Sequence, residues 1–489
     1  MTTEKDAVAS LASIDNKKPF KYQIEGANWG ILNNARVLFA DEMGVGKTLQ
    51  SFLICQSDPK KYLPVLIICK PGLRMQMVKE AFRWPKWVLQ IIESENDYIL
   101  DGLPGYVVSY DTLSYSIFTN KNGRDVKRGM EHPEEWIARL NPKTIILDEC
   151  QQIKNIHSKR TKAIFKIASH SQYLIALSGT PIERNMKEYY PILHLLRPDK
   201  FYDEEKYITR WGETFFNGFT RKIGGIKDVE GFKQFTSDII IRRTRKEVLP
   251  DLPSVNRQFR FEKLGEKVEK AYKEEFKKFQ DHFYYGDKDE TPFEKSGAII
   301  AYLSKMRHLT GIAKIPGVVD FVNEFIQETD RKIVIFTHHH DVADEVVKRL
   351  QETIPNVLQL GVPIKQNIVD KFYQSEYRVM QASTLAGGEG INLQCCSDCI
   401  IMEPEWNPTK EDQAESRFPR PGQLADKITS TSFIAVGTVD EFFSRLKEQK
   451  RSFFASTIEG IADVRWDESS LIKELAEVLA SNGGKQWGW

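Results

Sequence analysis

The sequence lacks the features that mark membrane, secreted and strongly basic proteins. No apolar run reaches the ~18 residues needed to cross a bilayer, and the N-terminal residues lack the apolar core of a signal peptide. Only 6 cysteines occur in 489 residues, which excludes a disulfide scaffold and indicates reduced thiols. The net charge of +1 excludes a uniformly basic nucleic-acid binder, so any such contact must come from local basic surfaces. We expect a soluble intracellular protein of the cytoplasm or nucleus.

The length and the apolar pattern predict several folded units of one class. A chain of 489 residues is long enough for about two to four domains, each with its own core. Apolar runs of strand length, separated by segments of helix length, occur at residues 37–40, 65–69, 106–110, 144–147 and 173–178, and again at 332–337, 357–361, 378–384 and 399–402. Strands that are apolar throughout are typical of a parallel sheet covered by helices. The sequence therefore predicts an α/β fold with two lobes.

A glycine loop follows the first apolar run and leads into a predicted helix. Gly46, Lys47 and Thr48 match the end of the pattern G-x-x-x-x-G-K-[ST], Gly44 is a further glycine within the loop, and Asp41 replaces the first glycine of the pattern. In such a loop, backbone N–H groups face phosphate, the lysine reaches the β- and γ-phosphates, and the hydroxyl binds Mg²⁺. We predict a nucleotide site here, and the alternative is a chance Gly-Lys-Thr at a helix start.

An acidic pair, Asp148 and Glu149, directly follows the apolar run 144–147. Ligands of parallel sheets bind at the carboxyl ends of the strands, so these side chains are placed where a nucleotide would lie. Nucleoside triphosphatases use such a pair to hold Mg²⁺ and to activate water. We predict that Asp148 holds the metal through water and that Glu149 orients or deprotonates the attacking water. A solvated acidic turn is the alternative.

The segment from about residue 190 to residue 312 has a different pattern. It is rich in Lys, Glu, Phe and Tyr at helical spacing, which predicts a helical insertion. The densest basic stretch of the chain, residues 239–246, lies within it. Three interpretations of this stretch remain open: a solvated helix face, a contact to phosphate backbone, and a brace between the lobes.

Two clusters contain metal-binding residue types without the spacing of a metal site. Cys395, Cys396 and Cys399 lack a second pair of cysteines, so packing beside a strand is favoured over metal binding. His338, His339 and His340 follow a predicted strand, and adjacent side chains on an extended segment point apart. A structural loop is therefore favoured over zinc binding at the histidines.

A series of short segments resembles, in order, the motifs of the SWI/SNF-type DNA-translocating ATPases of helicase superfamily two. These segments are residues 22–26, 41–48, 148–151, 178–185, 241–250, 385–393, 405–408 and 413–423. The resemblance spans residues 19–450, and the Asp-Glu-Met-Gly form of the glycine loop is common in this family. Residues 336–339 also resemble the annealing-helicase or fork-remodelling branch.

The resemblance implies two RecA-like lobes with helical insertions between them. The implied divisions are a flexible leader at 1–17, an ATP-binding lobe at 18–250 with an insertion from about 190, a C-terminal lobe at 251–455 with an insertion to about 312, and a tail at 456–489. It also implies that Gln23 recognises adenine, that Arg417 and Arg420 act as arginine fingers, and that Gly390 lets the backbone approach the ribose.

The implied function is a DNA-dependent ATPase with ATP and Mg²⁺ as cofactors. It would translocate on double-stranded or branched DNA, causing branch migration, annealing or displacement of bound protein, and we expect a monomer with no membrane contact. The alternatives are an RNA-dependent helicase or ATPase and an ATP-gated DNA clamp that does not move. The chain departs from the family pattern at positions that bear on the DNA contacts: Leu385, Glu389, Phe418, Pro419 and Pro421.

Overall fold

The chain divides between Pro250 and Asp251 into two units in the computed structural model. The residues that the structure describes are 18–114, 116–119, 125–130, 132–179, 181, 186–216, 221–285, 292–361, 365–384, 391–405 and 408–444. Each unit is built on one main sheet, and every strand pair described in these two sheets is parallel. The predicted α/β class is confirmed.

The first unit alternates strands and helices along the chain. Its strands are β1 (Arg36–Phe39), β2 (Val65–Cys69), β3 (Leu89–Ile92), β4 (Gly105–Ser109), β5 (Ser116–Thr119), β6 (Asp125–Arg128), β7 (Thr144–Asp148), β8 (Tyr173–Leu177), β9 (Gly212–Phe216), β10 (Arg221–Ile226) and β11 (Ile240–Ile241). Its helices are α1 (Lys21–Leu32), α2 (Lys47–Ser57), α3 (Pro59–Tyr62), α4 (Arg74–Arg83), α5 (Tyr110–Leu113), α6 (Pro133–Leu140), α7 (Lys159–Ala168), α8 (Tyr190–Leu196), α9 (Glu204–Trp211), α10 (Val229–Phe235) and α11 (Arg245–Val248). Short 3-10 turns occur at Pro71–Leu73, Cys150–Ile153 and Met186–Tyr189.

The strand order of the first sheet decides which loops meet. The order is β11-β1-β8-β7-β2-β4-β3, so β8 lies between β1 and β7. Side chains of α2, including Phe52 and Leu53, pack with Val37 and Phe39 of β1 in the core beside the sheet. Because all these strands are parallel, the residues that follow β1, β7 and β8 lie at the same edge.

The second unit has a six-stranded sheet. Its strands are β12 (Val255–Glu262), β13 (Ile333–Thr337), β14 (Val357–Leu360), β15 (Val379–Ser383), β16 (Asp398–Ile401) and β17 (Ile428–Ala435), in the order β12-β17-β16-β13-β15-β14. Its helices are α12 (Glu266–Tyr285), α13 (Pro292–Glu328), α14 (His340–Gln351), α15 (Gln366–Phe372) and α16 (Pro408–Glu415).

Alternate residues of one central strand enter two separate apolar cores of the second unit. Val334 and Phe336 of β13 pack in a core with Phe372 of α15, whereas Ile333 and Ile335 pack in a second core with residues of α13 and α14. Successive side chains of a strand point to opposite faces of the sheet. The sheet is therefore covered on both faces, which explains why its strands are apolar throughout.

The expectation of a helical insertion between about 190 and 312 is only partly right. The segment contains the long helix α12 and the start of α13, but also the antiparallel hairpin β9–β10 and the strands β11 and β12. Six of the eight residues of β12 are exposed, because it is the edge strand of its sheet. An edge strand does not need the continuous apolar run by which the other strands were predicted.

No described helix has the length and apolar character needed to cross a membrane.

Candidate nucleotide-binding site

The glycine loop connects the end of β1 to the first residue of α2, as the sequence predicts. Gly44 and Gly46 adopt left-handed backbone angles, with φ of 85° and 83°. A side chain at Gly46 would also clash with the amide nitrogen of Gln23. Glycine is needed at position 46 for both reasons. Thr48 lies in the first turn of α2 and is half-buried, which fits the predicted hydroxyl ligand.

The amine of Lys47 lies within the loop. Its Nζ donates hydrogen bonds to the carbonyl oxygens of Asp41, at 2.8 Å, and of Glu42, at 3.2 Å. Burial lowers the pKa of Lys47, and the nearby charges of Glu149, Asp41 and Asp148 oppose that shift. The acidic pair is therefore close enough to Lys47 to act on its charge, as a shared phosphate and metal site requires.

The acidic pair lies at the end of β7, where the sequence places it. Asp148 is the last residue of the strand, and Glu149 has a left-handed conformation with φ of 51°. A non-glycine residue in this conformation is uncommon, and such residues are concentrated at functional sites. Both side chains are partly exposed, so both are accessible to solvent and to a ligand.

A hydrogen-bonded chain joins the acidic pair to the end of β8. The amide of Gln151 donates to Oε2 of Glu149 at 2.6 Å, and Oγ of Ser178 donates to Oε1 of Gln151 at 2.7 Å. The next residue, Gly179, is so close to the loop that a β-carbon there would lie 3.5 Å from Nζ of Lys47. The structure thus brings the loop, the acidic pair and the start of the segment 178–185 to one edge of the sheet. Thr180 and residues 182–185 of that segment lie outside the described residues.

Helix α1 also contacts the glycine loop. Nε2 of Gln23 and the hydroxyl of Tyr22 both donate to the carbonyl of Val45, at 3.2 and 2.9 Å. The Oε1 of Gln23 accepts a hydrogen bond from the backbone N–H of Phe20 at 2.9 Å. Gln23 therefore supports the loop directly, and its contact to adenine stays a prediction.

The basic stretch 239–246 contacts the glycine loop of its own unit, which none of the three interpretations included, and its contact to phosphate backbone or to the other lobe stays a prediction. Its first residues form β11, which pairs with β1, and its arginines contact the glycine loop of the same unit. Arg243 forms an ion pair with the carboxylate of Asp41, and Arg245 forms one with Glu42. The carboxylate of Asp41 has no exposed surface, so the structure gives it a supporting contact. Its predicted contact to a nucleotide is not among the contacts described, and stays a prediction.

The predicted arginine fingers lie in the second unit, after α16. Arg417 is 9% exposed, and its carbonyl accepts a hydrogen bond from the N–H of Leu393 at 3.1 Å. Arg420 donates to the carbonyl of Ser416 at 3.3 Å and to the side chain of Asn392. Gly390 lies outside the described residues, as do Leu385 and Glu389.

One departure from the family pattern has a packing explanation. Phe418 is fully buried in the core of the second sheet, with its ring edge-on to that of Phe336 at a centroid distance of 6.2 Å. It therefore anchors the segment that carries Arg417 and Arg420. Nothing in the structure explains Pro419 and Pro421.

The cysteine and histidine clusters have structural contacts. Cys396 and Cys399 are buried in the apolar core beside the second sheet. His338 is hydrogen-bonded to Glu405 at 2.9 Å, and His339 to Glu403 at 2.5 Å. Within the described ranges, no group of three or more His, Cys, Asp and Glu side chains is arranged to hold a metal ion.

The chain matches two family models that together span most of its length. Residues 22–311 match the SNF2-related domain, and residues 317–422 match the helicase conserved C-terminal domain. The protein named DNA annealing helicase and endonuclease ZRANB3 from Bos taurus is 26% identical over 458 residues, or 91% of this chain and 41% of that protein. The uncharacterized ATP-dependent helicase MG018 of Mycoplasma genitalium is 28% identical over 488 residues, or 94% of this chain and 44% of that protein. The chain spans less than half the length of these curated relatives.

Among solved structures, the helicase domain of Hef from Pyrococcus furiosus has a similar fold. The TM-score is 0.52 at 13% sequence identity, and the match covers 88% of this chain and 98% of that one. This likeness supports the two-lobed α/β architecture.

Proposed function

The chain belongs to the family defined by the SNF2-related domain, and from this premise we propose that it is a DNA-dependent ATPase that moves along duplex DNA. Movement would remodel branched DNA, by branch migration or annealing, or displace bound proteins. The observation that carries the proposal is the meeting of Lys47, the acidic pair and Ser178 at one edge of the first sheet. The name of the bovine relative, a DNA annealing helicase, supports the choice of DNA structures as substrate.

The residues present fit ATP and magnesium. The left-handed glycines shape the loop, and the amine of Lys47 lies within it, hydrogen-bonded to the carbonyls of Asp41 and Glu42. In the proposed mechanism Lys47 and Thr48 hold the phosphates and Mg²⁺, and Asp148 holds the metal through water. Mg²⁺ would neutralise charge on the β- and γ-phosphates. Glu149, held by Gln151, would orient the attacking water or accept its proton.

Arg417 and Arg420 would stabilise the negative charge that grows on the transferring phosphoryl group. An arginine in this role contributes on the order of 10³ or more to the rate. The buried ring of Phe418, which lies between them in the sequence, fixes the position of the segment that carries both arginines. Contacts to DNA would be mainly to phosphates, so binding would tolerate many sequences and weaken with salt.

The proposal is tested by measuring ATP hydrolysis with a panel of nucleic acids. The panel contains duplex DNA, single strands, forks, four-way junctions and RNA. We expect the greatest stimulation by duplex or branched DNA, and stimulation by RNA alone would favour an RNA-dependent ATPase.

Two variants connect that activity to the candidate site. We expect Lys47→Ala and Glu149→Gln to abolish stimulated hydrolysis while the fold is retained. The exposed Lys60 provides a matched control in the same unit, and Lys60→Ala should leave hydrolysis unchanged. Near-normal turnover in either site variant would refute the assigned roles.

A further inference from the structure

The segment that follows α10 returns to the glycine loop and lies along it. Its strand β11 pairs in parallel with β1, with Leu38 opposite Ile240 and Phe39 opposite Ile241. Backbone hydrogen bonds extend this pairing, because the N–H of Ala40 donates to Ile241 at 2.8 Å and the N–H of Glu42 donates to Arg243 at 2.9 Å. The residues after β11 are therefore held in register with the first residues of the loop.

Arg243 makes a buried, two-point contact with Asp41. Its Nε lies 3.1 Å from Oδ1 and its Nη2 lies 2.5 Å from Oδ2, and the carboxylate has no exposed surface. Gln50 completes the arrangement, since its Nε2 donates to Oδ2 at 3.0 Å and its Oε1 accepts from Nη2 at 2.6 Å. The remaining Nη1 of Arg243 donates to the carbonyl of Tyr22 at 2.7 Å. A guanidinium bound at two points fixes both the position and the plane of a carboxylate.

The contact between Arg243 and Asp41 passes close to Gly26 of helix α1. A β-carbon at Gly26 would lie 2.7 Å from Nη2 of Arg243 and would also clash with the amide oxygen of Gln50. A side chain at this position would force the amide of Gln50 or the guanidinium of Arg243 to move, and both groups contact Asp41. The glycine in the segment 22–26 therefore has a steric reason that is independent of the nucleotide.

Arg245 makes the corresponding contact with Glu42, the next residue of the loop. The backbone N–H of Arg245 donates to Oε2 of Glu42 and its Nε donates to Oε1, both at 2.8 Å. This pair is partly exposed, with 24% of the arginine side chain and 33% of the glutamate side chain accessible. Its removal should therefore perturb the loop without leaving a buried charge unpaired.

The two residues held by these arginines are the two residues that hold Lys47. The amine of Lys47 donates to the carbonyls of Asp41 and Glu42, and the side chains of the same two residues are fixed by Arg243 and Arg245. We propose that Arg243 and Arg245 are positioning residues, which set the direction of the Lys47 amine by fixing the backbone that accepts its hydrogen bonds. The proposal rests on the proposed function, since it assigns these arginines to the same ATP site.

The Glu42–Arg245 pair is chosen for the test, because it is partly exposed and its variants should still fold. The dissociation constant of a fluorescent ATP analogue with Mg²⁺ is measured for the full chain and for Glu42→Gln, Arg245→Gln and the double variant. Because this pair is partly exposed, the loss of its charge-assisted hydrogen bond should have a reduced effect, and each single variant should weaken affinity roughly fivefold to twentyfold. The double variant should be no weaker than the weaker single variant, because both changes break the same contact.

Two further variants separate positioning from charge and from stability. Lys246 is exposed and next to Arg245, so Lys246→Gln removes the same charge and should change the affinity less than about twofold. Arg245→Lys, which keeps the charge, should recover part of the lost affinity. Arg243→Lys keeps a cation beside Asp41 but not the two-point contact, and should weaken ATP binding if it folds.

The thermal midpoint of each variant is measured together with its affinity. If the midpoints fall while the affinities stay at the wild-type value, the arginines only stabilise the fold and the positioning role is refuted. If Lys47→Ala abolishes binding and Arg245→Gln does not change it, the proposed function stands and this inference fails. If the wild-type chain does not bind the analogue, both fail.

Discussion

Replacement of Gln151 by methionine should slow ATP hydrolysis without weakening ATP binding. Gln151 is 2% exposed, and its amide connects Glu149 to Ser178 through hydrogen bonds of 2.6 and 2.7 Å. Methionine has a similar length and no hydrogen-bonding amide, so Gln151→Met removes both contacts with little change in volume. The carboxylate of Glu149 would then lose the partner that fixes its orientation toward water.

The expected size of the effect follows from the kind of bond that is lost. A hydrogen bond to a charged group contributes ~1.5–3 kcal/mol, so its loss in the transition state should lower turnover about tenfold to hundredfold. Ser178→Ala removes a bond between neutral groups, worth ~0.5–1.5 kcal/mol, and should lower turnover about twofold to tenfold. Gln151→Met should therefore hydrolyse ATP more slowly than Ser178→Ala.

The assay is single-turnover hydrolysis at saturating ATP and duplex DNA, with a separate measurement of ATP affinity. The neighbouring Gln152 offers a matched control, because the described hydrogen bond of its side chain is to Arg160, at 2.7 Å, and not to Glu149 or Ser178. Gln152→Met should keep the wild-type rate. Wild-type turnover in Gln151→Met, or a loss of affinity that accounts for the whole effect, would refute the assigned role of Gln151.

Three further predictions concern the second unit. Arg420→Ala should lower the hydrolysis rate more than it weakens DNA binding, and an unchanged rate per bound complex with a collapse in DNA affinity would refute the finger role. Lys314 and Asp440 form a fully buried ion pair at 2.5 Å, so Lys314→Met should lower the unfolding free energy in urea by about 3–5 kcal/mol, and a loss below 1 kcal/mol would contradict this. Burial raises the pKa of Glu405, but the hydrogen bond with His338 and the nearby cations lower it by more, so that the pKa falls from 4.5 to about 2. Since the folded pKa lies below the unfolded one, the stabilisation by Glu405 is present above about pH 4.5 and is lost as the pH falls toward 2. Urea titrations should therefore show a smaller loss of unfolding free energy over this pH range in Glu405→Gln than in the wild type.

The sequence was most informative where structure depends on neighbouring residues. The runs at 65–69, 144–147 and 173–178 became β2, β7 and β8 with bounds that differ by at most one residue. These strands are buried on both faces, so each is an uninterrupted apolar run. The glycine loop was equally readable, because its shape depends on the left-handed residues Gly44 and Gly46.

Contacts between distant segments were not readable from the same patterns. Arg243 and Asp41 are 202 positions apart, and an arginine-rich stretch has the same composition whether it faces solvent or a buried carboxylate. Strand β12 was missed because it is mostly polar, with Phe259 and Phe261 separated by an arginine, at the exposed edge of its sheet. Gln151 lay inside the predicted acidic segment, but its bond to Ser178 depends on the order of β7 and β8 in the sheet.

Displacement of a third DNA strand from a triplex tests the central claim most directly. A protein that moves along duplex DNA pushes the third strand off, whereas a protein that only closes around the duplex leaves it in place. We predict release that requires hydrolysable ATP and that disappears in Lys47→Ala. Stimulated hydrolysis on the same duplex without release of the third strand would contradict translocation and favour an ATP-gated clamp.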